Sequence, residues 1–327
     1  MTTGLVLGKF LPPHAGHVYL VEFARRYVDN LTVVVGSLAR EPISGELRHH
    51  WMSEIFPSVR VVHLTDENPQ EPGEHPDFWD IWRRSLLRVL PAPPDVVFAS
   101  ERYGHRLAAE LGARFVMVDG GRQVFPVSGT AVRDDPFGHW RYLPRAVRPH
   151  FLKRVSVFGP ESTGKSTLAG LLAAHYGTVS VPEYARTHLE EQGGRLGPED
   201  IPLIARGQLA SEDALARDAS RILVCDTDVL ATTIWSEVLF GECPPWIRAE
   251  AARRRYDLTL LLDVDVPWVA GPVRYLPDER RSFFDRCARA LDAGGRRWVR
   301  VGGSWEERFT GARAAIDEAL GLSSAAR

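Results

Sequence analysis

The stretch Gly159-Pro160-Glu161-Ser162-Thr163-Gly164-Lys165-Ser166-Thr167 follows directly on an apolar run, Val155-Ser156-Val157-Phe158, and leads into a helical pattern that ends near Tyr176. The spacing is G-x-x-x-x-G-K-[ST], the phosphate-cradling P-loop. Its glycines let the backbone curl so that successive N–H groups face the phosphates, Lys165 reaches the outer ones, and Ser166 offers its hydroxyl to Mg2+. Gly159, Ser162, Thr163, Gly164, Lys165, Ser166 and Thr167 are therefore assigned to triphosphate binding. A loop of this kind joins a parallel strand to the helix that packs back on it. The motif therefore predicts an α/β fold for this part of the chain.

Working outward, the same alternation continues on both sides. Ahead of the loop lie the short apolar runs Leu5–Leu7, Leu31–Val35, Val59–Val62, Val96–Phe98 and Phe115–Val118. They are separated by helical patterns, the first with Val18, Val21, Ala24 and Val28 on one face. Behind it lie Val179–Val181, Ile222–Cys225, Leu258–Leu262 and Trp298–Val301, again spaced by helices. Strands alternating with helices predict parallel, doubly wound sheets. Thr65–Pro76, rich in Pro, Glu and Asp, reads as a surface loop. The segment Pro136–Pro149 breaks the rhythm with three prolines and three arginines. The expected division is a first domain over 1–150 and a second over 151–327, without internal repeat.

With 327 residues, 44% hydrophobic content and a formal charge of −2, the chain has ample apolar material for two cores and no electrostatic footprint for nucleic acid. Three scattered cysteines, an odd number without a C-x-x-C pair, argue against a disulfide framework or zinc site. No signal peptide or membrane span is read, so the expectation is a cytoplasmic protein. Homo-oligomerisation is left open.

The first domain carries a phosphate signature of its own. Gly8-Lys9-Phe10-Leu11-Pro12-Pro13-His14-Ala15-Gly16-His17 follows the first strand and opens the first helix. His14 and His17, three apart, project from one face, and Gly16 leaves room for close approach. A helix N-terminus attracts phosphate, two imidazoles there can donate to its oxygens as charge develops, and Lys9 adds a cation. Alone, the pair could equally cap a surface helix. Val127-Ser128-Gly129-Thr130-Ala131-Val132-Arg133, after the last strand of the same domain, adds Ser128, Thr130 and Arg133 as candidate ligands of the outer ATP phosphates. In the second domain, the strand Ile222–Cys225 ends in Asp226, a candidate second ligand for Mg2+, whereas Asp228 is expected to cap the next helix. Glu183 and Arg186 lie just past another strand end, where acceptors bind in open α/β sheets. Glu183 would orient or deprotonate the attacking hydroxyl and Arg186 would hold phosphate; a solvated i,i+3 ion pair is the plainer alternative.

The G-K-F-x-P-x-H-x-G-H run with its later S-G-T-x-x-R resembles the nucleotidyltransferase superfamily. Three further features narrow this: Trp140-Arg141-Tyr142-Leu143-Pro144 with Val147-Arg148-Pro149, the P-loop, and Pro182-Glu183-Tyr184-Ala185-Arg186. Together they resemble the bifunctional nicotinamide-nucleotide adenylyltransferase/ribosylnicotinamide kinase family (NadR type) over nearly the whole chain. The resemblance implies that His14, His17, Lys165, Glu183 and Asp226 are catalytic. It implies that a tryptophan stacks on the nicotinamide ring, with Trp51 at the matching position and Trp82 (beside Trp79) in a second aromatic motif. It also implies lid arginines at Arg274, Arg280 and Arg281 and a stacking Trp268. The expected partners are the small molecules ATP, ribosylnicotinamide, nicotinamide mononucleotide and NAD, with Mg2+ as cofactor. Some members carry an N-terminal helix-turn-helix; with a first strand at about Leu5, none is expected here. One departure stands out: after Pro267-Trp268-Val269 the family has acidic residues, and this chain has Ala270-Gly271-Pro272. Two alternatives to the kinase role stay open: a regulatory ATP sensor, and a kinase for another nucleoside.

Overall fold

The computed structural model describes residues 1–271 and 276–321. The chain divides into two compact units, Met1–Arg148 and Pro149–Arg327. The first runs β1 (Thr3–Gly8), α1 (Ala15–Tyr27), β2 (Asn30–Gly36), α2 (Gly45–Ile55), β3 (Arg60–Leu64), α3 (Phe78–Val89), β4 (Val96–Ala99), α4 (Tyr103–Leu111), β5 (Arg114–Met117) and α5 (Gly129–Asp134), then a 3-10 turn at Trp140–Tyr142 and the start of α6 (Arg148–Phe151). Its five strands are all parallel, in the order β3-β2-β1-β4-β5.

The strands are apolar at successive positions because both faces are covered. Val6, Val33, Val35 and Phe98 pack with Leu20, Val21, Ala24 and Met52 of α1 and α2. Their chain neighbours Leu5, Val34 and Val97 face the other way, onto Leu86 of α3 and Leu107, Ala108 and Leu111 of α4. The sheet is thus doubly wound. Strand order reverses between β1 and β4, and a crevice opens at such a switch point, beyond the carboxyl ends of the strands.

The second unit runs β6 (Lys153–Phe158), α7 (Lys165–Tyr176), β7 (Ser180–Val181), α8 (Tyr184–Glu191), α9 (Asp200–Leu215), β8 (Ile222–Asp226), α10 (Val229–Phe240), α11 (Pro245–Arg253), β9 (Leu258–Leu262), α12 (Arg280–Ala293), β10 (Trp298–Val301) and α13 (Trp305–Leu320). The order is β10-β9-β6-β8-β7, again all parallel. Val155, Val157 and Leu260 pack against Leu168 of α7 and Ala312 and Ile316 of α13. Phe158 and Leu261 meet Ile234 of α10 and Phe283, Phe284 and Leu291 of α12 on the opposite face. Central β6 delivers the P-loop, with β8 and β7 on one side and β9 and β10 on the other. Helix α12 buries Phe283, Phe284, Cys287 and Leu291, one apolar stripe along a single face. Among the described residues no helix is long and apolar enough to cross a membrane.

Candidate active sites

In the first unit a cavity of about 700 Å3 opens at the switch point, within the range of small-molecule sites. Lys9, His14, Gly16, His17, Trp82, Ser128, Thr130 and Arg133 all line it. His14 is the N-cap of α1, yet its side chain makes no capping bond, so the first N–H groups of the helix are left for a ligand. The two imidazoles stack with centroids 3.7 Å apart, and Phe10 closes edge-on against His17 at 5.0 Å. Gly16 makes this stack possible: a Cβ there would lie 3.1 Å from the His14 ring. Neither Nδ1 has a hydrogen-bond partner. Burial drives His14 down to about 4, with the Arg122 guanidinium adding to the shift. Burial likewise holds His17 well below its ordinary value, followed by His14 and Arg122. Both rings are neutral at pH 7, and an incoming triphosphate would favour their protonated forms.

The two motifs of this unit are fastened together. Arg133 donates to the carbonyl of Leu11 and, at 3.1 Å, to the Thr130 hydroxyl. Gly129 packs so close that a Cβ would sit 2.4 Å from the same Leu11 oxygen. Ser128 is the N-cap of α5, its hydroxyl accepting from the Ala131 N–H at 3.1 Å. It braces the turn while facing the cavity.

A buried cation, Arg48, has no counterpart among the expected site residues. Fully buried on α2, it donates to the carbonyls of Ile43 (3.1 Å), Gly36 (3.3 Å) and Lys9 and pairs with Glu41. Glu41 also pairs with Lys9 Nζ at 3.1 Å. Arg122, tied to Glu101 at 3.1 Å, supplies further positive charge at the cavity wall.

Trp51 is 4% exposed and is not among the residues that line the cavity. Trp82 and Trp79 on α3 line the cavity instead, with Trp82 steered by a 2.8 Å bond from its indole N–H to the Pro69 carbonyl. The loop after β3 is also more than surface. Asp66, Gln70, Glu71 and Pro72 form part of the cavity wall, and Asn68 is buried beneath, accepting from Ser85.

In the second unit the P-loop takes the backbone its sequence requires. Gly159 (φ +133°), Ser162 (φ +56°) and Gly164 (φ +87°) all lie at positive φ, and a Cβ on Gly159 would lie 3.0 Å from the Leu262 carbonyl oxygen. Thr163 donates inward to the Pro160 carbonyl at 2.9 Å, and Lys165 Nζ reaches the same carbonyl at 3.0 Å. Ser166 and Thr167 are exposed at the start of α7. Asp226 ends β8 directly beside β6, in register with Val157. Burial pushes its carboxyl up to about 6, with the Glu183 carboxylate contributing next, against the opposing pull of Lys165, Ser166 and Arg186. Its Oδ1 is buried without a partner. A buried, orphaned carboxylate oxygen near the Ser166 hydroxyl fits Mg2+, which takes one or two protein oxygens and completes its shell with phosphates and water. The described residues hold no cluster of three or more His, Cys, Asp or Glu side chains able to form a metal cage. Asp228 caps α10, accepting from the Leu230 N–H at 2.7 Å and pairing with Arg296.

Beside the P-loop a second cavity of about 260 Å3 is lined by Lys165, Glu183, Arg186, Glu190, Trp235 and Ala270, among others. Glu183 and Arg186 form their i,i+3 ion pair at 3.1 Å and still face this cavity. Trp268 does not line the cavity; the Arg280 guanidinium lies 5.8 Å over its ring. Arg280 is committed to the carbonyls of Ser162 and Val266. Arg281 pairs with Asp263 at 3.1 Å, away from the cavity. Arg274 and Pro272 lie outside the described residues. Trp235 of α10, its ring 4.3 Å from Phe283, forms part of the cavity wall. Its apolar neighbours give a sequence reader no reason to single it out.

Taken together, the chain is an α/β protein of two doubly wound units, the second a P-loop domain. Residues 154–308 match the family described as AAA domain. The chain is 30% identical over 323 residues to the trifunctional NAD biosynthesis/regulator protein NadR of Escherichia coli (strain K12), covering 92% of this chain and 78% of that protein. The protein of the same name from Salmonella typhimurium (strain LT2) matches at 30% over 322 residues, with 91% and 78% covered. Among solved structures, a NadR protein in complex with NAD and AMP-PNP superposes with a TM-score of 0.77 at 25% identity, covering 98% of this chain and 97% of that one. A NadR protein in complex with NR shares the fold, with a TM-score of 0.80 at 24% identity over the same shares. The chain belongs to the NadR family.

Proposed function

We propose that the protein carries out two consecutive steps of NAD biosynthesis. In the second unit the 5′-hydroxyl of ribosylnicotinamide attacks the γ-phosphorus of ATP. The new P–O bond forms as the bond to ADP breaks, and the hydroxyl proton passes to Glu183. In the first unit a phosphate oxygen of the resulting nicotinamide mononucleotide attacks the α-phosphorus of a second ATP, giving NAD and pyrophosphate. No protein base is required there, since the nucleophile is already an anion.

The observation that carries this reading is that each unit brings its own phosphate motif to the rim of its own cavity, beyond the carboxyl ends of its strands. In the first, His14, His17, Arg133 and the free N–H groups of α1 would neutralise the triphosphate, and Trp79 and Trp82 would receive the pyridine ring. In the second, the P-loop and Lys165 would hold the β- and γ-phosphates, and Glu183 would face the acceptor. Ser166 and Asp226 would hold Mg2+, whose charge offsets that of the phosphates when bound. Family membership and the NadR complexes with NR, NAD and AMP-PNP support the same assignment.

The segment Val269–Gly271 bears on the acceptor. Ala270 and Gly271 line the second cavity, and the carboxylates available there are Glu161, Glu183 and Glu190. A kinase acting on another nucleoside is the competing reading. The test is to supply ATP with either ribosylnicotinamide or a panel of other nucleosides, and to follow ADP, pyrophosphate and NAD separately. ADP from ribosylnicotinamide, followed by pyrophosphate and NAD, is expected. ADP with another nucleoside only, or pyrophosphate without NAD, would refute it.

A further inference from the structure

Trp305 is a large aromatic side chain left 49% exposed on a domain whose other core aromatics are covered. It sits against the P-loop itself: a Cβ on Gly164 would lie 2.3 Å from Trp305 Cη2 and 2.7 Å from Cζ3. The benzo edge of the indole thus rests on the last loop residue before Lys165. It is also held there firmly. Arg308, one turn further along α13, is fully buried, with its guanidinium 6.0 Å from the ring. Arg308 donates to the carbonyls of Thr163 (3.2 Å), Asp263 (3.3 Å) and Gly303 (2.9 Å), and pairs with Asp265. One buried side chain therefore ties the P-loop, the end of β9 and the turn before α13 together. A capping box at Ser304 and Glu307 fixes the start of that helix.

The topology says what this exposed ring faces. The acceptor cavity is lined mostly by residues that follow β7 and β8, among them Glu183, Arg186, Thr227 and Trp235, and is completed by Lys165 of the P-loop and by Val269–Gly271 after β9. Phosphoryl transfer places the attacking and leaving oxygens roughly in line through the transferred phosphorus. With the acceptor on the β8–β7 side of β6, the departing diphosphate and its nucleoside run toward the β9–β10 side. Trp305, immediately after β10, is on that side. We infer that Trp305 is the stacking platform for the purine of the phosphoryl donor, fixed relative to the phosphates by Arg308. Every base has a π-face, and an indole held beside the phosphate loop costs little ordering when the base arrives.

The inference rests on the kinase reading of the second unit, and the experiment separates the two. In the full-length protein, ADP formation reports the second site, because adenylyl transfer releases pyrophosphate instead. Trp305→Leu keeps an apolar contact with Gly164 and removes the flat ring, whereas Trp305→Tyr keeps a ring. For Trp305→Leu the KM for ATP should rise roughly five- to hundredfold, the range of one base–aromatic stack. The KM for the acceptor should stay within about threefold. The inhibition constant of inorganic tripolyphosphate against ATP, which reads the P-loop without a base, should not move. Trp305→Tyr should restore most of the ATP affinity. An unchanged KM for ATP in Trp305→Leu, or ATP and tripolyphosphate weakening together, would overturn the platform and leave the kinase assignment standing. ADP formation that survives Lys165→Ala would overturn the kinase assignment itself.

Discussion

Gly129→Ala isolates the contact that joins the two motifs of the first unit. Helix propensity alone favours alanine at a helical position by up to about 1 kcal/mol. The structure opposes it. The new Cβ would stand 2.4 Å from the Leu11 carbonyl oxygen and 3.1 Å from its carbon, where ordinary contacts begin near 3.4 Å. The obstacle is backbone, so no side-chain rotation relieves it. The Leu11 carbonyl has to retreat by about 1 Å, and it is also the acceptor for Arg133. Leu11 lies three residues ahead of His14, within the loop that delivers both histidines. A misplacement of about 1 Å in a phosphoryl-transfer site costs on the order of a hundredfold in rate, about 2.7 kcal/mol at the barrier. The expected outcome is therefore a folded protein whose kcat for pyrophosphate release falls by about two decades, with ADP formation at the second site unchanged. Gly170→Ala is the matching control. It is also helical but has nothing within 4 Å of the added atom, so it should stabilise the second unit by about 0.5–1 kcal/mol with both activities intact. If Gly129→Ala keeps its full rate of pyrophosphate release, the loop yields without moving the histidines. The contact then has no bearing on catalysis.

Lys165→Ala should abolish ADP formation while leaving pyrophosphate release within a few-fold, because sites in separate units without shared partners behave independently; parallel loss of both activities in a folded variant would contradict the two-site assignment. His14 sits near 4 when folded against 6.5 unfolded, so the unfolded chain binds more protons between those values: the first unit is stabilised as pH rises through this window and loses stability on acidification from 6.5 toward 4. By pH 5 the loss is about 2 kcal/mol, and His14→Gln should remove it, read as a shallower pH dependence of thermal unfolding than wild type; identical slopes would show that His14 does not carry this acid sensitivity. Ala270→Asp should raise kcat/KM for ribosylnicotinamide by roughly one decade if an unpaired substrate hydroxyl faces that wall. No gain alongside an efficient wild type would assign the contact to another carboxylate, Glu183 or Glu190.

Much of this architecture could be read before any coordinates. Strands covered on both faces must be apolar throughout, so Leu31–Val35 and Leu258–Leu262 announce themselves, and two short motifs mark the strand ends that open onto the two cavities. What escaped the sequence depended on which way a helix turns. Trp51 and Trp82 both sit in helices among polar neighbours. Trp51 is buried, whereas Trp82 is half-buried at the cavity wall, and the neighbours of neither residue announce the difference. Arg48 is invisible for a related reason. An arginine in a helix is ordinarily solvated, and only the tertiary arrangement brings the Lys9, Gly36 and Ile43 carbonyls within its reach. The loop carrying Asp66, Gln70 and Glu71 has the composition of surface. It reaches the cavity through the burial of Asn68 and the Trp82–Pro69 bond, neither of which leaves a local pattern.

On the proposed function the two units handle phosphate by different routes, and the difference follows from how each supplies positive charge. The second has a glycine-rich loop whose backbone can take positive φ three times, so amides and one lysine make the cradle. The first has no such run after β1. Its loop instead presents neutral, buried imidazoles whose protonation a phosphate would favour, and it relies on Arg48, Glu41 and Arg133 to hold that loop in place. A site that draws charge from depressed histidines is sensitive to where the loop sits, because desolvation and ligand charge compete on the same two rings. Backbone amides do not titrate, so a cradle built mainly of them tolerates small shifts better. Substitutions that loosen the supporting contacts should therefore cost the first activity more than comparable changes cost the second. Arg48→Met and Arg308→Met, each removing one fully buried arginine brace, provide the direct comparison.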